Sequence, residues 1–462
     1  MKFRKIILAV MGLILVVLFF NMFTAYQKNE TKLTLEVQLN SNQPDDYQLF
    51  YILNKDQEWT EEQSLHQNYE QKGDWVNLKY DLPKNIYSLR LDMGNQKAIV
   101  KIKDVTLKGN SSVNISLNEL ITQEHGVKIT SQKEKQIEKQ IEKQIELQVL
   151  DSDPFVVLDI KAHRDAAIEG NSFLNIALVS LSSVVATLIS LYVINSIKEI
   201  YKFMKEIFMG RKLIFSLAKN DFKTKYASSY LGIVWGFIQP LLTIVTYWFV
   251  FQVGLRSGSV SDVPFILWFI VAIIPWFFFS EALSSATNVY TEYSYLVKKV
   301  VFKIELLPIV KIISALFVHL FFILFIFVMY TGYGYYPDSY SFQMLYYLIC
   351  TIMLVFSVSL VTSAIVLFFK DLNQIIIIIL QIGFWFTPIG WSYTMLPNFW
   401  SNVFKLNPMF YIVEGYRDTF IYGVSFIEHP YYTLYFWMFC LTALVVGIKS
   451  LKKLKPHFAD VI

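Results

Sequence analysis

Residues 264–283 read PFILWFIVAIIPWFFFSEAL and contain a single formal charge, on Glu281. A helix of about 20 apolar residues crosses a bilayer, because it satisfies its backbone polar groups internally. Eight stretches of the chain meet this criterion, at about 6–26, 172–194, 230–252, 264–283, 307–331, 343–369, 374–393 and 431–448. The chain is therefore expected to be a polytopic α-helical membrane protein.

The composition of the 462 residues agrees with this expectation. Apolar residues make up 54% of the chain and charged residues 17%, whereas soluble proteins average about 25% charged residues. A soluble enzyme, a disordered scaffold and a nucleic-acid binder fit this composition poorly. Cys350 and Cys440 lie in apolar runs, so neither a disulfide framework nor a cysteine metal site is expected.

Basic residues near the ends of the apolar runs predict the orientation. Residues 1–26 are interpreted as an uncleaved membrane anchor, because basic residues precede the run and no small-residue cleavage site follows it. Eight Lys and Arg residues lie between Lys198 and Lys225, whereas three lie in the candidate outer loops of the last six spans. Both termini are therefore predicted to be cytoplasmic, with residues 27–170 outside the plasma membrane.

Residues 27–165 are predicted to form an extracytoplasmic β-sandwich. Short runs alternate polar and apolar residues, which is typical of half-buried strands; they are 31–40, 47–54, 75–82, 86–93, 97–107 and 155–160. Residues 133–148 repeat Lys-Gln-Ile-Glu with a four-residue step, which we interpret as a helical stalk on the surface. Residues 166–202 are expected to form a second anchor helix and a cytoplasmic linker.

The polar block differs from the rest of the chain in charge. Residues 28–170 contain 18 basic and 24 acidic residues, a net charge of −6, whereas the remainder has a net charge of +10. Residues 89–107 loosely resemble carbohydrate-binding-like sandwiches of glycan enzymes. Candidate rings for stacking on sugars are Trp59, Trp75, Tyr80 and Tyr87. A place in the core or rim of the sandwich is the simpler explanation for each ring.

Motifs of catalysis and nucleotide binding are absent from the sequence. It contains no G-x-x-x-x-G-K-[ST] phosphate loop, no H-E-x-x-H and no G-x-S-x-G. Of six histidines, only His319 lies within a predicted span, where a hydrogen bond inside the helix bundle is expected. Neither catalysis nor a bound cofactor or metal is therefore expected of this chain.

A basic amphipathic segment, KLIFSLAKNDFKTKY at 212–226, leads directly into the span that begins near Leu231. Such a segment is expected at the membrane surface, with its apolar side chains in the interface and its cations near anionic headgroups. The residues expected to make this contact are Lys219, Phe222, Lys223 and Lys225.

Several motifs follow in a distinctive order. They are SSYLGIVWGFIQP at 228–240, IPWF at 274–277, YLVKKVVF at 295–302, LP at 307–308, LNP at 406–408 and EGYRD at 414–418. In this order and spacing they closely resemble the membrane subunits of ABC-type polysaccharide exporters, closest to teichoic-acid translocation permeases. The resemblance covers about residues 203–462 and implies a homodimeric six-span permease that recruits a separate ATPase, which binds the ATP and Mg.

The resemblance also implies roles for three groups of residues. The loop 292–303 would dock into the ATPase through Glu292, Tyr293, Tyr295, Leu296, Val297, Lys298 and Lys299. A substrate channel would be lined by Trp235, Tyr247, Phe251, Trp276, Phe277, Phe384 and Trp385. A re-entrant hairpin at about 394–430 would form an outer gate with Trp400, Pro408, Glu414, Arg417 and Asp418.

Simpler explanations exist for each group. The loop could be an ordinary positive-inside loop, the rings could serve helix packing, and Arg417 could pair locally with Glu414 and Asp418. The function expected from the resemblance is ATP-driven export of a lipid-linked cell-wall polysaccharide, with teichoic acid as the expected polymer. The alternatives are a drug or lipid exporter and a membrane-tethered glycan sensor, although eight spans exceed what an anchor needs.

Overall fold

The computed structural model describes residues 2–70, 72–94, 96–115, 121–137, 140–151, 153–170, 173–225, 227, 230–256, 258–260, 263–298 and 303–461. The chain divides into two compact units, Met1–Leu188 and Ile189–Ile462. The first unit contains β-strands, and the second is predominantly helical.

The strands are β1 (Leu33–Ser41), β2 (Asp45–Ile52), β3 (Ser64–Tyr69), β4 (Val76–Leu82), β5 (Ser88–Asp92), β6 (Ile99–Lys108), β7 (Ser112–Ile115), β8 (Ile121–His125), β9 (Val127–Ile137), β10 (Gln140–Val149) and β11 (Phe155–Leu158). One antiparallel sheet has the order β4-β1-β6-β10-β9, with β7 beside β6, and the other has the order β3-β2-β5-β11-β8. Along β1, buried leucines and a valine alternate with half-exposed residues, as expected of a strand. Buried side chains of both sheets share one hydrophobic core, which confirms the predicted all-β fold.

The predicted helical stalk at 133–148 is wrong. These residues lie on β9 and β10, except for residues 138 and 139, which lie outside the described part of the chain. A four-residue step places side chains on one face of a helix, but it also places them on one face of a strand, whose period is two. Ile145 pairs with Ile102 of β6 and is buried, so the core of the sandwich decided between the two structures.

Among the strands that the pattern missed, β3 and β8 are the two edges of the five-stranded sheet. Their sequences, SLHQNY and ITQEH, are mostly polar because an edge strand has fewer neighbours to cover it. Tyr80, a candidate sugar-stacking ring, is buried in the core, and its hydroxyl donates to the Tyr47 carbonyl oxygen at 3.0 Å. The prediction that Tyr80 stacks on sugar is therefore wrong.

The longer helices are α1 (Lys2–Glu30), α2 (Lys161–Glu169), α3 (Phe173–Asn195), α4 (Ile197–Met209), α5 (Arg211–Lys225), α6 (Trp235–Trp248), α7 (Phe265–Thr287), α8 (Leu307–Gly332), α9 (Gln343–Val366), α10 (Asp371–Phe386), α11 (Asn398–Phe404), α12 (Pro408–Arg417) and α13 (Pro430–Leu454). Within the described residues, seven helical segments are long and apolar enough to cross a membrane. They are Leu8–Asn29, Asn175–Asn195, Gly232–Gly254, Phe265–Thr287, Ile304–Gly332, Ser339–Val366 and Pro430–His457. The chain is thus a multi-pass membrane protein, as predicted.

The eighth predicted span, 374–393, is shorter than expected. Helix α10 ends at Phe386, and Thr387 is extended, with φ −94° and ψ 134°. Proline disfavours helical backbone at the residue before it, and Pro388 follows here. At 16 residues, α10 falls short of the length that crosses a full bilayer.

Helix α7 is the central helix of the second unit. Its first twelve residues, 265–276, are all buried. It packs against α8, α9 and α12, and this arrangement positions the side chains described next.

Candidate functional site

The amphipathic helix α5 packs on α8 through its buried residues Ile214, Ala218 and Asp221. The ring centroids of Phe222 and Phe317 lie 5.4 Å apart, which adds an aromatic contact. Lys219 and Lys223 are exposed, as expected for a surface helix. Lys225 was expected to contact lipid headgroups, but in the structure it pairs with Glu281 of α7.

An ionic cluster, centred on a buried Lys311–Asp221 pair, joins α5 to α8 and to the predicted ATPase loop. The Lys311 ammonium lies 2.7 Å from a carboxylate oxygen of Asp221 and also pairs with Glu292. The Tyr293 hydroxyl donates to the same Asp221 oxygen at 2.7 Å. Sequence reasoning missed Lys311, although a lysine in an apolar run of this length is itself a signal of function.

In the described part of the predicted ATPase loop, Glu292 ends one short helical turn, Val289–Glu292, and a second turn, Ser294–Val297, follows. Leu296 and Val297 are partly buried and pack against the hydrophobic core, and their contact with an ATPase stays a prediction. The exposed residues are Glu292, Tyr295 and Lys298. Lys299 lies outside the described residues, so its predicted role stays a prediction.

A cavity of about 720 Å³ lies beside the ionic cluster. One face of α8 lines it with Lys311, Ser314, Val318, His319 and Phe322, over about 16 Å of helix. The cavity is bounded on its other sides by residues of α5, α6 and α7. It therefore extends from the charged cluster into the apolar bundle.

His319 lies deep in the helical unit. Its Nε2 is 3.3 Å from the Tyr416 hydroxyl, and its ring stacks on Phe278 with centroids 4.6 Å apart. His319 is buried, which agrees with the expected hydrogen bond inside the bundle.

Most of the predicted channel rings lie in one connected set. Tyr247 stacks on Phe384 at 5.3 Å, and Phe384 also contacts Trp276 at 6.2 Å. Phe251 and Trp385 join this set through Tyr247 and Phe384, respectively. The other two predicted rings lie outside this set. Trp235 is exposed on the first turn of α6 and, together with Tyr247, lines a second cavity of about 460 Å³. Phe277 lines the larger cavity.

The predicted outer gate includes two short helices, α11 and α12. Arg417 is fully buried, and it pairs with Glu414 at 2.6 Å and stacks over the Trp268 ring at 3.5 Å. It also donates to the Ile389 carbonyl oxygen at 2.9 Å. The local pair with Glu414 is therefore present, but Arg417 also links α12 to α7 and to the chain after α10.

The remaining gate residues are spread over this region. Asp418 pairs with His429 at 3.2 Å. Pro408 occupies the first turn of α12, and Trp400 on α11 is exposed. Their part in gating stays a prediction.

Within the described residues, no group of three or more His, Cys, Asp or Glu side chains could hold a metal ion. In the β-sandwich, Trp75 is exposed, and the Lys103 ammonium lies 4.7 Å from its ring centroid. Trp59 and Tyr87 are half-buried.

Part of the helical region is similar to known transporter proteins. Residues 212–421 match the family described as ABC-2 type transporter. The O-antigen export system permease protein RfbA of Klebsiella pneumoniae is 28% identical over 252 residues, which are 54% of this chain and 95% of that protein. The protein of the same name from Myxococcus xanthus is 26% identical over 223 residues, covering 47% of this chain and 84% of that protein.

Proposed function

We propose, because residues 212–421 match the family described as ABC-2 type transporter, that the chain is the membrane subunit of an ATP-driven polysaccharide exporter. The similar proteins from Klebsiella pneumoniae and Myxococcus xanthus are named as O-antigen export permeases, which supports polysaccharide as the substrate class. We further propose that the exported polysaccharide is a lipid-linked cell-wall polymer, teichoic acid. The order of the motifs in the sequence supports this choice.

The observation that carries the proposal is the ionic cluster beneath the two turns at 289–297. A permease without a phosphate loop needs a surface on which a separate ATPase acts. The exposed side chains of Tyr295 and Lys298 supply that surface. Behind it, Lys311 of α8 pairs with Glu292 of the first turn and with Asp221 of α5. Movement imposed on the turns would therefore reach the helices that border the larger cavity.

The proposed assembly contains two copies of this chain, a separate ATPase subunit that binds ATP and Mg, and the surrounding lipids. Both termini would be cytoplasmic and the β-sandwich extracytoplasmic. The exposed ring of Trp75 supports contact of the sandwich with the emerging glycan. Titrating the full-length protein with polymer repeat units, with Trp75→Phe as the reference, tests this contact through tryptophan fluorescence.

The ATPase surface is tested with the variants Tyr295→Asp and Lys298→Glu. We expect the purified protein to retain its fold but to lose copurification with the ATPase and stimulation of ATP hydrolysis. Tyr336→Asp is the matched control, because Tyr336 is also an exposed tyrosine but lies between α8 and α9. Normal ATPase binding and stimulation in the two test variants would contradict the proposed surface.

The substrate class is tested by depleting the protein in cells. Accumulation of a lipid-linked glycan on the cytoplasmic side is the expected result. Accumulation of a lipid or efflux substrate without glycan would instead identify a lipid or drug exporter, which is the alternative function.

A further inference from the structure

Helix α4 follows α3 after a single intervening residue, Ser196, and lies outside the region matched to the transporter family. The sequence alone suggested a cytoplasmic linker here, but residues 197–209 form a continuous helix. Its side chains are sorted by helical spacing into stripes of different chemistry. These stripes indicate what the helix contacts.

Two of the stripes bind α4 to the rest of the second unit. Phe203 and Ile207 are buried, and the Phe203 ring stacks on Phe356 with centroids 6.1 Å apart. On the adjacent side, Glu199 pairs with Lys452 of α13 at 3.0 Å. The helix is therefore held in a defined orientation, with its two remaining stripes directed outward.

The first outward stripe is apolar. It consists of Ile197, Tyr201, Met204 and Phe208, which are spaced three or four residues apart. Tyr201 is 70% exposed and Phe208 is 66% exposed. Side chains of this size at helical spacing form a continuous apolar surface that water would solvate poorly.

The second outward stripe is basic and borders the apolar one. Lys198, Lys202 and Lys205 have the same helical spacing and are all exposed. The guanidinium of Arg211 lies 4.4 Å from the Phe208 ring centroid and extends the positive charge past the end of the helix. An apolar stripe flanked by lysines matches the chemistry of an anionic bilayer surface, with acyl chains beside phosphate groups.

We infer that α4 is a lipid-binding helix that selects anionic phospholipid. Tyr201 and Phe208 enter the boundary between headgroups and acyl chains, and the three lysines contact lipid phosphates. The direct connection to α3, a candidate membrane span, brings the helix to the membrane surface. The occupant is thus a lipid surface, and this inference is independent of which substrate is exported.

The full-length protein in lipid nanodiscs provides the test. A fluorescent label is attached to Tyr201→Cys or, as the control on another stripe, to Glu206→Cys; the native Cys350 and Cys440 are buried. The nanodiscs contain phosphatidylcholine and phosphatidylglycerol, and only one of the two lipids carries brominated acyl chains. Quenching then reports which lipid lies against the label.

We expect the Tyr201 label to be quenched at least about threefold more by brominated phosphatidylglycerol than by brominated phosphatidylcholine at equal mole fraction. The Glu206 label should be quenched little by either lipid. Replacing Lys198, Lys202 and Lys205 together by glutamine should abolish the preference. Replacing Lys55, Lys72 and Lys97, three exposed lysines of the β-sandwich, should preserve it.

Two results would overturn the inference. One is equal quenching by both lipids that does not change in the Lys198/Lys202/Lys205 variant. The other is a Tyr201 label that no lipid quenches and that is shielded only when the ATPase is bound, because that would make the apolar stripe a protein-docking surface.

Discussion

Lys311 carries a positive charge into a part of α8 where most neighbouring side chains are apolar. Its side chain is 10% exposed, and that of Asp221 is 8% exposed. An ion in such surroundings persists because a counter-ion accompanies it, since desolvating an unpaired charge costs several kcal/mol. The pair therefore makes the position of α5 depend on that of α8.

Replacing Lys311 by methionine should destabilise the protein by about 3–5 kcal/mol, because it leaves the Asp221 carboxylate buried without its cation. Adding Asp221→Asn should recover most of this loss, because it removes the unpaired charge. Thermal unfolding in detergent, followed by intrinsic fluorescence, measures both effects.

The control for this prediction is Lys452→Met, which breaks the more exposed pair with Glu199 and should cost less than about 1 kcal/mol. A double variant that is less stable than Lys311→Met would show that the buried pair is not the cause.

At the scale of elements, the hairpin of β9 and β10 illustrates how packing selects a structure. Ile145, Leu147 and Val149 of β10 are buried, and they alternate with residues of higher exposure. On a surface stalk, these side chains would contribute little to stability. On a strand of the sandwich, they form part of the core.

Ile145→Ala should therefore destabilise the β-sandwich by about 2–4 kcal/mol, through lost burial and the cavity that remains. Glu146→Ala, at the adjacent half-exposed position, is the matched control and should cost less than about 1 kcal/mol. Circular dichroism melting of the two variants measures the difference. Equal, small effects would favour a surface helix over a core strand.

Glu36 on β1 links the two neighbouring strands. It pairs with Lys108 of β6 at 2.7 Å and with Lys79 of β4 at 3.3 Å. The hydrogen bond from Lys108, together with those from Asn77 and Lys79, lowers the pKa of Glu36 below its usual value of 4.5. The folded state therefore favours the ionised carboxylate.

Because the pKa is lower in the folded state, the contribution of Glu36 to stability is present above pH 4.5 and is lost as the pH falls through the folded-state value. Glu36→Gln should lower the stability at neutral pH by about 1 kcal/mol and should converge with the unmodified protein in acid. Thermal melts across this pH range measure the effect. A difference in stability that does not change with pH would mean that the charge of Glu36 is not its cause. Glu58→Gln, in an exposed loop, is the control.

At the scale of the whole molecule, the partition of charge predicts the membrane topology. Acidic residues prevail in the β-sandwich, and basic residues prevail in the segments predicted to be cytoplasmic. The buried positions of Cys350 and Cys440 keep the background of thiol labelling low.

Single cysteines should report this topology. Ser64→Cys in the β-sandwich should react with a membrane-impermeant maleimide added to intact cells. Ser216→Cys on α5 should react after the cells are permeabilised. Labelling of Ser64→Cys that also requires permeabilisation would reverse the predicted orientation.

The sequence by itself determined the features that depend on local patterns. The long apolar runs predicted the seven full-length spans, and alternating residues predicted β1, β2 and β4, because burial on one face repeats with the period of the element. The motif order indicated a resemblance to transporter membrane subunits, and residues 212–421 match the family described as ABC-2 type transporter. The separate ATPase stays a prediction.

Only the tertiary structure decided the features that depend on distant contacts. Lys311 and Asp221 are 90 residues apart, so no local pattern could pair them. The four-residue repeat before β11 fits a helix and a strand equally well, and the sandwich core chose the strand. A tyrosine can lie in a core or at a surface, so the residue type of Tyr80 did not show whether its ring is exposed. The packing of the two sheets buries it.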